Sequence, residues 1–176
     1  PFSGSGTTAL ELQNCGIACF AFEVNPLMYL IARVKLENGY EVERFEYWYD
    51  YIVKERSKKI VELETEFNTL YQGEGKKKWN YNTDIGIAVE KLRQVIESIS
   101  EVIYKELFKV ALAAILLDVS NLYRNGKCLS YKKKWEDRKI VEKDVFDKFD
   151  EKVLKELKCD IENSITRTKI NNKERL

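Results

Sequence analysis

The chain has 176 residues, of which 44% are hydrophobic and 34% are charged, and its 30 Lys and Arg nearly balance its 29 Asp and Glu. This composition is typical of a soluble globular chain, and a net charge of +1 gives it no general attraction to nucleic acid. The absence of histidine excludes Ser-His-Asp and Cys-His catalysis and every metal site that needs histidine.

The cysteines and the apolar runs exclude further classes. Cys15, Cys19, Cys128 and Cys159 form no C-x-x-C pair, which argues against a zinc ribbon or a redox pair. The longest apolar run, residues 110–117, has eight residues, whereas a membrane-spanning helix needs about 20. We therefore expect a cytoplasmic protein with reduced thiols, no metal and no membrane span.

The first 36 residues predict a loop, a helix, a strand and a second helix. Residues 2–8 are rich in Gly, Ser and Thr, and residues 9–15 are good helix formers that Gly16 terminates. Residues 17–22 are nearly all apolar, as expected of a strand buried on both faces of a parallel sheet. The second helix covers residues 27–36 and has a proline near its first position.

The rest of the chain contains no proline, and its apolar spacing predicts long helices. We expect helices over residues 37–72 after a turn at 38–39, and over residues 83–103, 104–122 and 141–161. The helix over 104–122 is apolar almost all round, which predicts that it is the most buried. Residues 72–82 and 125–139 are expected to form loops.

Gly4 and Gly6 stand just before the first predicted helix. Neither has a Cβ atom, so a ligand can approach the backbone closely, and the free N–H groups of a helix start favour an anionic group. Glu23 follows the predicted strand, 17 residues after Gly6, where a carboxylate can accept both hydrogen bonds of a ribose diol. The pattern predicts a site for an adenosine-type cofactor.

Three kinds of nucleotide site have glycine loops of this type. A phosphate-binding P-loop needs Gly-Lys-Ser/Thr, and no Lys follows Gly6, so this kind is excluded. Gly4, Gly6 and Ala9 satisfy a dinucleotide fingerprint, and the zwitterionic end of S-adenosylmethionine (SAM) suits the same loop. The spacing alone leaves NAD, SAM and a turn without a ligand as alternatives.

The residues themselves resemble a known family. Residues 1–8 (PFSGSGTT), Gly16 and residues 22–26 (FEVNP) closely resemble the SAM-binding segment of the DNA amino-methyltransferases, which methylate N6 of adenine or N4 of cytosine. The resemblance implies an α/β fold, a partial Rossmann-like methyltransferase domain over residues 1–36. A large helical insertion over residues 37–176 then makes this chain mainly α.

The resemblance also assigns cofactor contacts by matched position. Glu23 would hold the ribose of SAM, and Val24 and Asn25 would border its adenine. The methionine end is assigned to Phe2, Ser3, Gly4, Gly6 and Thr7, and Ser5 and Thr8 complete the cofactor loop.

Residues 47–49 (YWY) and 108–122 resemble a subgroup of these methylases that has a helical insertion between its SAM-binding and catalytic halves. The family frees the amino lone pair with an Asp/Asn/Ser-Pro-Pro-aromatic element that acts on a flipped base. The only prolines of this chain are Pro1 and Pro26, so that element is absent and no catalytic residue is predicted. We expect the SAM-binding part of a longer enzyme, inactive in methyl transfer on its own.

Residues 123–139 contain seven basic residues and two acids, with aromatic side chains between them. Because lysines neutralise phosphates and aromatic rings stack on bases, the segment predicts contact with double-stranded DNA, although a solvated charged face is the ordinary alternative. The loop over residues 76–81 has the same character. The predicted DNA-binding residues are Arg124, Lys127, Lys132, Lys133, Lys134 and Trp135.

The leading hypothesis is a site-specific DNA methyltransferase of a restriction–modification or orphan type. Its implied partners are double-stranded DNA and, in a restriction–modification system, a cognate restriction endonuclease. The alternatives are an NAD-dependent oxidoreductase with the same glycine loop, and a non-catalytic helical interaction module with a vestigial nucleotide loop. Binding of SAM, of NAD or of neither distinguishes these three.

Overall fold

The computed structural model describes residues 2–64 and 69–164 and is mainly helical. Its α-helices are α1 (Thr7–Asn14), α2 (Pro26–Leu36), α3 (Val42–Arg56), α4 (Thr83–Glu97), α5 (Val102–Val119), α6 (Glu142–Lys152) and α7 (Lys158–Ser164). A π-helical turn (Val153–Leu157) joins α6 to α7. Strands β1 (Leu122–Asn125) and β2 (Cys128–Tyr131) form a two-stranded antiparallel sheet, followed by a 3-10 turn (Trp135–Asp137).

Helix α5 contacts α2, α4, α6 and β1, which agrees with its apolar residues lying almost all round it. Phe108 of α5 stacks on Phe45 of α3, with ring centroids 5.5 Å apart. On α6, Phe149 contacts the same Phe108 ring at 6.5 Å between centroids. All three rings are fully buried, so this aromatic row contributes to the core that holds α3, α5 and α6 together.

An ion pair also joins α3 to α6. The guanidinium of Arg56 donates hydrogen bonds to both carboxylate oxygens of Asp150, at 2.6 and 2.8 Å. The same guanidinium lies 4.5 Å from the centroid of the Phe146 ring. Because the Arg56 side chain is only 10% exposed, this bidentate pair is shielded from water on one side.

The first two helices are attached to this helical core through α2, which packs on both α1 and α5. Both helices were predicted, and Gly16 follows α1 with a left-handed φ of 74°, as the helix end requires. The buried amide of Gln13 donates to the main-chain oxygen of Leu36 at 3.2 Å and to Oδ1 of Asn38 at 3.0 Å. These bonds fix the end of α1 against the end of α2.

The prediction of a buried strand over residues 17–22 is wrong. This segment pairs with no strand in the described part of the chain. Ile17, Phe20 and Phe22 are 51%, 78% and 65% exposed instead of buried on both faces. A strand forms when a neighbouring strand takes up its N–H and C=O groups in a ladder, and within residues 2–64 and 69–164 no strand is paired with this segment.

The predicted long helix over residues 37–72 is also wrong in its second half. Helix α3 ends at Arg56, and residues 57–64 are not helical. Ile60, expected in the core, is 93% exposed, while Phe67 lies outside the described residues. The apolar steps through Ile60, Leu63 and Leu70 therefore did not extend the helix, because Ile60 and Leu70 are exposed and do not form a buried face with α3.

Two further boundaries differ from the prediction. The helix expected over residues 83–103 stops at Glu97, where the Ser98 hydroxyl donates to the Val95 carbonyl at 2.7 Å. The loop expected over residues 125–139 contains strand β2, which pairs with β1. Gly126, at φ 59°, opens the two-residue turn between them, and α5 already ends at Val119, so the Asn-Gly pair belongs to a hairpin and not to the helix end that was predicted there.

Candidate cofactor-binding site

The glycine loop is held to the extended segment that follows α1. The Ser3 N–H donates to the Phe22 carbonyl at 2.8 Å, and the Gly6 N–H donates to the Ser3 carbonyl at 3.1 Å. Gly4 and Gly6 have φ values of 57° and 75°, in the left-handed region that glycine adopts without steric cost. The loop is therefore a defined turn that needs glycine at both positions.

The two glycines have different surroundings. A Cβ atom at Gly6 would lie 2.8 Å from Cβ of Ala32, so the loop packs directly against α2 at that point. A Cβ atom at Gly4 would meet nothing within 4 Å. Gly6 therefore lets the loop approach a helix, whereas Gly4 leaves open space where a ligand could approach the backbone.

Glu23 contacts the same loop. One of its carboxylate oxygens accepts a hydrogen bond from the Gly4 N–H at 2.6 Å, and the other accepts one from the Asn25 N–H at 2.8 Å. The N–H groups of Asn25 and Gly4 favour the charged form and hold the pKa of Glu23 below its ordinary value of 4.5. The predicted loop and its predicted acid are thus brought together, and each oxygen keeps a further lone pair.

The start of α1 adds donors beside the loop. Gly6 precedes α1 and offers no side chain to cap it, so the first N–H groups of the helix are suited to an anionic partner. The side chains of Thr7 and Thr8 are exposed there. The Ser5 hydroxyl oxygen accepts a hydrogen bond from Nζ of Lys35 at 3.2 Å, which places a cation near the loop that the sequence pattern did not indicate.

The two residues assigned to the adenine border differ in role. Val24 is 85% exposed and available for an apolar contact. Oδ1 of Asn25 accepts hydrogen bonds from the N–H groups of Leu27 at 3.0 Å and Met28 at 3.2 Å, so this side chain caps α2. The Asn25-Pro26 pair therefore has a structural explanation independent of any cofactor.

A cavity of about 190 Å³ lies between the loop, α1 and the extended segment. Its lining includes Phe2, Ser3 and Thr8 on one side and Phe20 on the other, but not Gly4, Gly6 or Glu23. Ligand pockets usually measure about 300–1,000 Å³, so this cavity fits one end of a molecule the size of SAM. A larger cavity of about 350 Å³, between α1, α2, α5 and the π-helical turn, contains none of the predicted cofactor residues.

Lys132, predicted to contact DNA, has partners inside the fold. Its Nζ donates to the main-chain carbonyls of Leu117, Asp118 and Ser120 at 3.4, 3.0 and 2.8 Å. The guanidinium of Arg138 donates to the same Ser120 carbonyl. Burial lowers the pKa of Lys132, and the Arg138 charge adds to this. Both cations thus satisfy the last carbonyls of α5, where positive charge is favoured.

Trp135, predicted as a base-stacking residue, is only 8% exposed. Its ring lies edge-on to Trp79 at 4.9 Å between centroids and contacts Tyr131 at 5.0 Å. A ring packed in this way presents no free face to a base, so its position does not suit stacking on DNA. The other predicted DNA-binding side chains, those of Arg124, Lys127, Lys133 and Lys134, are exposed.

No cluster of three His, Cys, Asp or Glu residues within 2–64 and 69–164 could hold a metal ion, and no helix there is long and apolar enough to cross a membrane. Comparison of the chain with family models, curated proteins and solved structures finds no match in any of the three.

Proposed function

We propose that this chain forms the cofactor-binding part of a SAM-dependent DNA amino-methyltransferase. The observation that carries the proposal is the 2.6 Å hydrogen bond from the Gly4 N–H to the Glu23 carboxylate, which joins the two predicted halves of the site across 19 positions of sequence. The resemblance of residues 1–8 and 22–26 to the SAM-binding segment of that family supports the same function.

In the proposed complex, the methionine end of SAM lies against Gly4 and the first N–H groups of α1. The remaining lone pairs of the Glu23 carboxylate accept the ribose hydroxyls, and Val24 contacts the adenine. The bound cofactor supplies an activated methyl group. No residue of this chain is assigned to the transfer step, because the sequence contains no Pro-Pro-aromatic element.

The extended segment over residues 17–22 has the composition of a sheet strand. Residues 17–22 present apolar side chains on both sides, with Ile17 and Phe20 more than half exposed. In this chain the segment is not a strand; we propose that it joins a Rossmann-like sheet only where further parallel strands of a longer enzyme pair with its backbone and helices cover its two faces. Residues 37–176 then form the helical insertion.

Calorimetric titration tests the cofactor assignment. We expect the chain to bind SAM and S-adenosylhomocysteine and not NAD, because the loop and Glu23 match a nucleoside with a zwitterionic tail. Glu23→Gln should weaken S-adenosylhomocysteine binding about tenfold or more, since it removes a charged acceptor. Glu43→Gln, at an exposed position of α3, is the matched control and should leave the affinity unchanged.

Three outcomes would contradict the assignment. Preferential binding of NAD would favour the oxidoreductase. Binding of no nucleotide by a chain whose circular dichroism and thermal transition show it to be folded would favour the helical interaction module. Equal effects of the two glutamate variants would show that Glu23 has no special role.

A further inference from the structure

The chain contains the string Lys-Lys-Lys-Trp twice, at residues 76–79 and 132–135, and the fold brings the two strings together. Trp79 and Trp135 meet edge to face, with ring centroids 4.9 Å apart and planes at 83°. Nζ of Lys78 lies 5.4 Å from the centroid of the Tyr131 ring, so the first string also contacts strand β2. Two segments that are separate in sequence thus form one surface.

Hydrogen bonds of Asn121 hold the two Lys-Lys-Lys-Trp strings against each other. The N–H of Asn121 donates to the Asn80 carbonyl at 2.8 Å, and the Asn121 carbonyl accepts from the Lys132 N–H at 2.8 Å. Nδ2 of Asn121 donates to Oδ1 of Asn82 at 2.8 Å and to the Trp79 carbonyl at 3.3 Å. Asn121 is fully buried, so these bonds are shielded from water and hold the two strings in a fixed relation.

The charge of this surface is strongly positive. Seven cations of residues 74–79 and 124–139 are exposed, against three exposed carboxylates, and none of the seven is ion-paired with another residue in the described part of the chain. We name these seven side chains the composite basic surface: Lys77, Lys78, Arg124, Lys127, Lys133, Lys134 and Lys139.

The aromatic rings distinguish between kinds of nucleic acid. Single strands are held by bases that stack on exposed aromatic rings, whereas a duplex backbone is held by cations that neutralise phosphates. Trp135 is buried against Trp79, and the half-buried Tyr131 ring lies under Lys78. Tyr123, beside Arg124, is 41% exposed, so these segments offer one exposed aromatic ring against seven point charges, which favours a duplex.

We propose that the composite basic surface binds the sugar-phosphate backbone of double-stranded DNA without reading base sequence. The identification of the duplex as DNA rests on the proposed function, while the surface itself rests on charge and contacts. It joins Lys77 and Lys78 of the loop over residues 76–81 to the basic segment over residues 123–139, which the sequence pattern treated separately.

Lys134 can be substituted with little risk to the fold. Lys134 has a φ of 52°, a left-handed conformation that asparagine and glycine adopt more readily than lysine. Lys134→Asn therefore removes a charge of the surface without a steric cost to the fold. Exposed Lys77 and Lys133 can be changed to Gln with the same intention.

Fluorescence anisotropy with a labelled duplex of about 20 base pairs, measured over a range of salt concentrations, is the experiment. The triple variant Lys77→Gln, Lys133→Gln, Lys134→Asn is compared with Lys54→Gln, Lys143→Gln, Lys148→Gln, three exposed lysines outside the surface. Both triples remove three positive charges. We expect the triple variant of the basic surface to weaken DNA binding about tenfold or more and to lower the slope of log K against log salt by about 2 to 3. The control triple should change the affinity and the slope much less.

Four results would overturn the proposal: equal weakening by both triples, which indicates only net charge; tighter binding of single-stranded than of duplex DNA; preference for duplex RNA; or no binding by the unmodified chain. Thermal melting checks that both triples are folded. Calorimetry with S-adenosylhomocysteine should give the same affinity for both, so that failure of the DNA surface and failure of the cofactor site are observed separately.

Discussion

At the scale of single residues, the two loop glycines predict different costs of substitution. Gly6→Ala introduces a Cβ atom 2.8 Å from Ala32 Cβ as well as an unfavourable φ, so we expect a loss of about 2–4 kcal/mol in the free energy of unfolding. Gly4→Ala adds the φ cost alone, about 1–2 kcal/mol. Urea denaturation measures both values. Equal losses would contradict the packing of the loop against α2.

Glu23 predicts a pH dependence of stability. Hydrogen bonds from the Asn25 and Gly4 N–H groups lower its pKa below 4.5, so the unfolded chain binds this proton more readily than the folded one. Glu23 therefore stabilises the fold above that pH, and the contribution is lost as the pH falls through the lower pKa of the folded state. The difference in urea midpoint between the unmodified chain and Glu23→Gln should shrink on acidification below 4.5. A difference in urea midpoint that does not change with pH would show that the charge of the Glu23 carboxylate does not stabilise the fold.

The convergence of Gly4 and Glu23 could be predicted from sequence, because a glycine turn and an acid after the next segment follow local rules. The burial of Trp135 could not. A tryptophan among lysines has the same sequence pattern whether it faces water or another ring, and its partner Trp79 lies in a distant segment. The same holds for Lys132, whose three acceptors belong to the end of α5.

At the scale of elements, Lys132 predicts how α5 is terminated. Lys132→Met keeps the aliphatic stem but removes the ammonium that donates to the carbonyls of Leu117, Asp118 and Ser120. We expect it to lower the free energy of unfolding by about 1–2 kcal/mol, because the Asp118 carbonyl loses this donor and the helix dipole loses a cation. The Leu117 and Ser120 carbonyls keep the Ser120 hydroxyl and Arg138 as donors. Lys133→Met, at the exposed neighbour, should cost little stability. Equal losses of unfolding free energy for the two variants in chemical denaturation would show that the Lys132 ammonium does not stabilise the end of α5.

Helices with local start signals were predictable, and elements that need a distant partner were not. Asn25 and the proline after it define the start of α2 within three residues of sequence. The run over residues 17–22 has strand composition but lacks a paired strand among the described residues. The hairpin of β1 and β2 was missed although its Asn-Gly turn was recognised, because the turn was interpreted only as a helix end.

At the scale of the whole molecule, the glycine loop and the helical core are physically connected. Gly6 packs on α2, α2 packs on α5, and Val34 of α2 belongs to the same buried cluster as Leu107 and Phe108. The separation into a cofactor part over residues 1–36 and a helical part over residues 37–176 stays a prediction. Because one hydrophobic core spans both, we expect them to unfold together.

The most direct test of the cofactor site is a titration of the isotopically labelled chain with S-adenosylhomocysteine, observed through its amide NMR shifts. We expect the largest shifts at Gly4, Gly6, Thr7 and Val24, around the Glu23 carboxylate that accepts the Gly4 N–H. Shifts confined to the larger cavity, at Val110 and Leu157, or none at saturating ligand, would contradict it.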